Sequence, residues 1–221
     1  MKILCPKLPI FDIRDHGVVR TAFAGAPVLQ MQQAWREQPE ENFMPALVQL
    51  GWSGDNFLIF AQLTDDLLYT SSTEDNQILC SYGDVFEIFL GDASGPSYVE
   101  FHIAPNGKRL QLLWPDSESY PKVGSKEADL GSFLIDPPIF QFSQWAECNI
   151  WCVCASVPGA TLLPPGIALE GRTLRASFCR YDYSSASEPP VLSSTSPHVV
   201  PSFHRQQEWA ETQCQKEQPN L

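Results

Sequence analysis

From residue 46 onward, short apolar runs rich in β-branched and aromatic residues alternate with clusters of turn formers. Residues 46–52 and 57–64 flank Ser53-Gly54-Asp55-Asn56, where glycine and asparagine tolerate the positive φ of a tight hairpin. Residues 85–90, 98–103 and 108–114 follow, joined by Gly91-Asp92-Ala93-Ser94-Gly95-Pro96 and by Pro105-Asn106-Gly107. They predict three consecutive antiparallel strands. Further strands are expected over 133–135, 139–142, 148–157 and 173–183. Helices find room only at 29–37 and 203–213, and residues 184–201, rich in Ser and Pro, read as a long loop. No internal repeat interrupts the pattern. The expected fold is all-β: an antiparallel β-sandwich, immunoglobulin-like or jelly-roll-like, with one or two short helices, in a single domain over residues 1–221.

Because side chains alternate across a strand, the middle segments sort into faces. Val99, Phe101 and Ile103 share the face expected to be core, with Tyr98, Glu100 and His102 on the other. In the preceding strand Phe86, Ile88 and Leu90 point inward, and Glu87 sits opposite beside Val85 and Phe89. In the following strand Leu110, Leu112 and Trp114 alternate with Arg109, Gln111 and Leu113. Paired as a meander, these strands bring Glu87, Glu100 and His102 side by side. Carboxylates accept paired hydroxyl hydrogen bonds and aromatic faces stack on the apolar face of a pyranose, so this row is a candidate sugar-binding surface. An ordinary solvated sheet face is the plainer alternative.

Composition narrows the classes of function. The 221 residues are 43% hydrophobic and 18% charged, a globular balance with ample material for a core. The net charge of −12 repels phosphates and anionic lipid, so neither nucleic acid nor a membrane surface is an expected partner. The opening MKILCPKLPIFD breaks its apolar stretch at Pro6, Lys7 and Pro9, too short for the apolar core of a secretory signal, so a cytoplasmic location is expected. Seven cysteines form an odd set without CxxC pairs. Cys148, Cys152 and Cys154 share one strand face with Ile150, which fits either a thiolate cluster or small buried side chains, and a reducing compartment suits them best.

Several segments, in order, resemble family 9 carbohydrate-binding modules. Val48 through Ala61, followed by Thr64-Asp65-Asp66, resembles that family's paired strands and acidic turn. Gly83-Asp84-Val85-Phe86-Glu87-Ile88-Phe89-Leu90 is similar to its D-x-(V/F)-E-(I/V)-F strand. Tyr98 through Gly107 is similar to its Y-x-E-F-x-(I/F)-x-x-x-G strand and turn. Trp151 through Pro158, Leu174 through Asp182, and Ser196-Pro197 with Phe203-His204 extend the likeness, which spans residues 46–209. The resemblance implies a β-sandwich related to the DOMON group of sugar- and haem-binding domains. It also implies a non-catalytic sugar site in which the strand glutamate, here Glu87, binds hydroxyls, with His102 and Glu100 beside it. The family's two clamping tryptophans would fall near Ser81 or Tyr82 and near Ser193 or Ser194. No tryptophan stands there, and Tyr82 supplies one ring.

The expected function is therefore the binding of an oligosaccharide or small sugar without catalysis. Glu87, Glu100 and His102 are the candidate polar contacts, Tyr82 and Trp114 the stacking rings, and Arg180 a further charged donor. Three alternatives stand beside it. Glu87 and Glu100 form the one carboxylate pair a glycosidase could use. Met44 and His102 are the one axial pair available to haem, although no cofactor is expected. The sandwich could also serve as a protein-interaction or structural domain. Asp65, Asp66, Asp84 and Asp92 show no metal-ligand spacing, and His198 and His204 stand alone in or beside the long loop, so no metal site is expected.

Overall fold

The structure, a computed structural model, describes residues 2–216. Two sheets carry the chain. The first has the order β1 (Lys2–Cys5), β12 (Ala210–Cys214), β10 (Thr173–Asp182), β5 (Val85–Asp92), β6 (Tyr98–Ile103) and β7 (Arg109–Trp114), with β11 (Val191–Ser194) also pairing β10. The second has the order β2 (Val28–Gln30), β3 (Ala46–Ser53), β4 (Asn56–Thr64), β9 (Ile150–Pro158) and β8 (Gln141–Glu147). The expected β-sandwich is the observed fold, and its short helices are α1 (His16–Phe23), α2 (Ser119–Gly124) and α3 (Gly159–Leu162). Among the described residues no helix is long and apolar enough to cross a membrane.

The hairpin turn works as its residues dictate. Ser53 pairs with Asn56, leaving Gly54-Asp55 as a two-residue loop in which Gly54 takes φ 55°. The meander also forms in the expected register, with Glu87 opposite His102, Phe89 opposite Glu100, His102 opposite Leu110 and Glu100 opposite Leu112. Phe86, Ile88, Phe101 and Phe178 meet Val48, Ile59, Trp151 and Val153 in the core between the sheets.

Both outer faces are covered as well. Val19 and Phe23, one turn apart on α1, lie on Phe60, Cys152 and Cys154 of the smaller sheet. This settles the cysteine face: Cys152 and Cys154 are buried small side chains, whereas Cys148 is exposed in the turn before β9 at φ 52°. Burial on two sides explains why β5 is inaccessible from Val85 through Gly91 despite its central glutamate.

The sequence expectations fail mainly at the edges. Residues 29–37 hold no helix: Leu29, Met31 and Gln33 share a side at period two, and Met31 N–H bonds the Ala46 carbonyl at 2.9 Å. Residues 203–213 become a short 3-10 turn and then β12, whose Ala210, Thr212 and Cys214 alternate inward. Residues 133–135 end another 3-10 turn and touch β7 through a single bridge at Leu134. Helix α1, capped by the Asp15 carboxylate accepting from Val18 N–H at 3.2 Å, and strand β1 lie before residue 46, where the pattern is weakest.

Candidate functional site

The outer face of β5, β6 and β7 is where the candidate residues meet. Two structural devices set its position. Gly83 enters β5 at φ 146°, and a Cβ there would stand 2.3 Å from the Tyr69 carbonyl, so only glycine permits this approach. Next to it the Asp84 carboxylate accepts from Tyr69 N–H at 2.5 Å and Tyr183 N–H at 2.7 Å, tying the start of β5 to two neighbouring segments.

That face is apolar around its polar centre, with Val85, Phe89, Leu110, Leu112 and Cys179, and therefore demands cover. Residues 115–134, with Val123, Leu130 and Phe133, close one side, while Phe203 and Trp209 close the other. Between the covers remains a pocket of about 130 Å³. Glu87, Glu100 and His102 form its polar floor, Trp114 lines one wall, and Tyr120 and His204 stand above. The expected open sheet surface is thus a partly open pocket, because most of the second face is buried under distant chain.

His102 and Glu100 are locked together. His102 Nε2 donates to Glu100 Oε1 at 2.7 Å, and Trp114 Nε1 donates to Glu100 Oε2 at 2.6 Å. Burial pulls the His102 pKa down, but the facing carboxylates of Glu87 and Glu100 outweigh it and hold the imidazole above its ordinary value. Burial likewise pushes Glu100 up, yet His204, His102 and the Trp114 donor bring it below the usual range. Glu87 differs. It lies 3.2 Å from His102 Nε2, but that N–H points to Glu100, and the Glu87 carboxylate accepts no hydrogen bond among the described residues. With 2% of its surface exposed, burial raises its pKa.

His204 is held by Tyr98 Oη at 2.7 Å from Nδ1 and stacks on Tyr120 with ring centres 3.5 Å apart. Burial keeps it below the ordinary imidazole value. Cys80, from the 3-10 turn Leu79–Ser81, also reaches the pocket, and burial with the charges of Glu87 and Glu100 keeps its thiol protonated.

Of the residues singled out by sequence, Glu87, Glu100, His102 and Trp114 come together here. Tyr82 and Arg180 do not line this pocket. Tyr82 ends the 3-10 turn with its ring partly in solvent. Arg180 stands opposite Phe86 on the inner face of β10, where its guanidinium meets Asp65 Oδ2 at 2.8 Å, Asp182 Oδ2 at 3.2 Å and the Thr64 carbonyl at 2.6 Å. An even number of residues from Cys179 would have faced Glu87; position 180 is odd by one. Met44 and His102 open on different pockets and are not brought together as an axial pair.

Cys80, Tyr120 and His204 escaped the sequence reading. Only His204 had a signal, through the Phe203-His204 segment of the family resemblance. Two groups offer donor atoms close enough for a cation: Cys80, Glu87 and His102, and separately Asp65, Asp84 and Asp182. The second group already has the Arg180 guanidinium on two of its members. A third cluster has relay connectivity, with Ser177 Oγ 3.3 Å from His198 Nε2 and His198 Nδ1 3.0 Å from Glu208 Oε2. Ser177 and His198 have 0% exposure, so no substrate reaches that hydroxyl. The cluster instead pins the segment that carries Phe203 and His204 over the pocket.

No family model and no curated protein sequence matches the chain. Solved structures do. One is a candidate carbohydrate-binding protein from Bacteroides uniformis, with TM-score 0.72 and 11% identity over 96% of this chain and 98% of that one. A family 9 carbohydrate-binding module from Caldicellulosiruptor kristjanssonii, solved with cellotriose, matches at TM-score 0.66 and 12% identity over 99% and 95%. The same organism's family 9 module solved with glucose matches at TM-score 0.64 and 11% identity over 100% and 99%. At these identities the likeness is one of fold.

Proposed function

We propose that this protein is a non-catalytic sugar-binding domain that takes one sugar unit, free or at a chain end, into the pocket over β5–β7. The observation that carries this reading is Glu87: a carboxylate buried to 2% exposure, without a hydrogen bond among the described residues, in a pocket with aromatic walls. Its charged neighbour, His102 Nε2 at 3.2 Å, directs the N–H to Glu100, so the Glu87 oxygens are left to accept donors that a ligand supplies. Paired sugar hydroxyls do so, and the resemblance to family 9 modules implies that contact for the same residue. Glu100 and His102, already bonded to each other, hold the floor rigid. Tyr120, 45% exposed and stacked on His204, offers the accessible ring. Tyr82 and Arg180 leave the proposed contact set. The seven thiols, unpaired throughout, support a cytoplasmic setting as part of the same proposal.

The test is isothermal titration calorimetry in EDTA against glucose, other monosaccharides, and cello- and xylo-oligomers. Saturable binding that weakens about 10- to 150-fold in Glu87→Gln is expected, the equivalent of about 1.5–3 kcal/mol for a hydrogen bond to a charged group. A panel without saturable heat at millimolar sugar overturns the reading and leaves an interaction domain.

A further inference from the structure

The geometry points to a transition-metal site of the zinc type in this pocket, formed by Cys80 Sγ, a Glu87 carboxylate oxygen and His102 Nε2. The three residues come from the 3-10 turn before β5, from β5 and from β6, so no spacing motif announces them. Their ligand atoms lie within 4.8 Å of one another. A tetrahedral zinc with bonds of about 2.0–2.3 Å places its ligand atoms roughly 3.3–3.6 Å apart. His102 Nε2 and Glu87 Oε1, at 3.2 Å, already stand near that spacing. Cys80 completes the triangle with a shift on the order of 1 Å. A thiolate, an imidazole and a carboxylate select a borderline metal, since calcium and magnesium require oxygen ligands in larger number.

The Glu87 carboxylate, almost wholly buried, lines the pocket with His102 Nε2 at 3.2 Å and accepts no hydrogen bond among the described residues, so it has lone pairs free for a metal. Binding of M²⁺ forms three bonds, to Cys80 Sγ, a Glu87 oxygen and His102 Nε2, and releases to solvent the protons those atoms carry. Glu100 loses the His102 hydrogen bond and keeps that of Trp114 Nε1. Three protein ligands leave a fourth position open towards the pocket, the arrangement of a site that also takes water or a ligand oxygen.

The inference uses Glu87, as the sugar reading does, but the two fail separately: sugar titrations run in EDTA, and metal titrations run without sugar. Cobalt(II) is the probe. One equivalent is expected to give a near-ultraviolet thiolate-to-cobalt band that zinc bleaches. The band should vanish in Cys80→Ser and persist in Cys148→Ser, whose thiol is exposed in a turn far from the cluster in sequence. Absence of the band, or its survival in Cys80→Ser, overturns the site by showing no thiolate ligation or ligation by another cysteine. Circular dichroism reports whether Cys80→Ser folds. If it does not, Glu87→Gln decides: cobalt affinity weaker by at least about tenfold supports the site, and unchanged affinity refutes it.

Discussion

Glu87 and Glu100 are both buried on adjacent strands, yet their hydrogen bonding differs, so isosteric amides should separate structure from function. Glu100 accepts from His102 Nε2 at 2.7 Å on one oxygen and from Trp114 Nε1 at 2.6 Å on the other. Glu100→Gln keeps one acceptor and turns its NH₂ towards the second donor. The loss is a charged hydrogen bond, about 1.5–3 kcal/mol, plus a buried donor left unpaired, about 1–3 kcal/mol. A destabilisation of about 2.5–6 kcal/mol is expected, or a fall in melting temperature of roughly 5–24 °C for a chain of this size. Glu87→Gln removes a charge that burial disfavours, gives up its 3.2 Å pairing with His102 Nε2, leaves that N–H on Glu100 and preserves volume. It should cost less than about 1 kcal/mol. Urea unfolding in EDTA at pH 7, followed by tryptophan fluorescence, measures both. Equal losses in the two variants would refute the argument, because Glu87 would then be holding the fold. A stable Glu87→Gln that no longer binds is the signature of a group kept for a ligand at a cost to the folded state.

Asp84→Ala should cost about 2–5 kcal/mol in the same assay, because Tyr69 and Tyr183 N–H lose their acceptor; Asp84→Asn should recover part of this. No loss in the alanine variant would mean that water replaces the carboxylate. His198 faces Ser177 Oγ on one side and Glu208 on the other, with Arg205 bonded to that glutamate. Burial holds its pKa below the ordinary imidazole value, so the unfolded chain takes up the proton first. Its stabilising contribution is complete above about pH 6.5 and is lost as pH falls. Unfolding between pH 7.5 and 5 should show wild type falling more steeply than His198→Gln, by no more than about 1.4 kcal/mol per pH unit; parallel profiles would contradict this. Of the seven thiols, Cys148 alone is exposed, Cys80 is half-buried and five are buried. One fast thiol is expected with a chromogenic disulfide reagent on the native protein, absent in Cys148→Ser, and three or more would contradict the burial.

The residues show why some elements were legible in the sequence. Ser53 to Asn56 could make only a tight turn, and Pro105-Asn106-Gly107 likewise closed β6 on β7. Once these turns were placed, period two decided the rest. Paired as a meander, the strands could carry Glu87, Glu100 and His102 on one face, and the β5–β6 register then set Glu87 opposite His102. The edges were not legible. A strand such as Lys2–Cys5 is four residues long, and its partner β12 lies at the other end of the chain. Nothing local distinguishes such a segment from a loop. Residues 29–37 misled for a related reason, since apolar positions there suited a helix as well as a strand until β3 supplied the donors and acceptors.

By itself, then, the sequence determined the sandwich and the row of Glu87, Glu100 and His102, because turn chemistry and side-chain alternation are local properties of the backbone. Tertiary structure decided what that row faces. Residues 115–134 and 203–209 cross the outer sheet face to bury its apolar surround, converting a surface into a pocket and bringing Tyr120 and His204 to it. The fold placed Cys80 against Glu87 and sent Arg180 to Asp65. These meetings join segments distant in sequence, and their partners are selected by the burial of shared apolar area and by charge pairing, neither of which leaves a periodic trace along the chain.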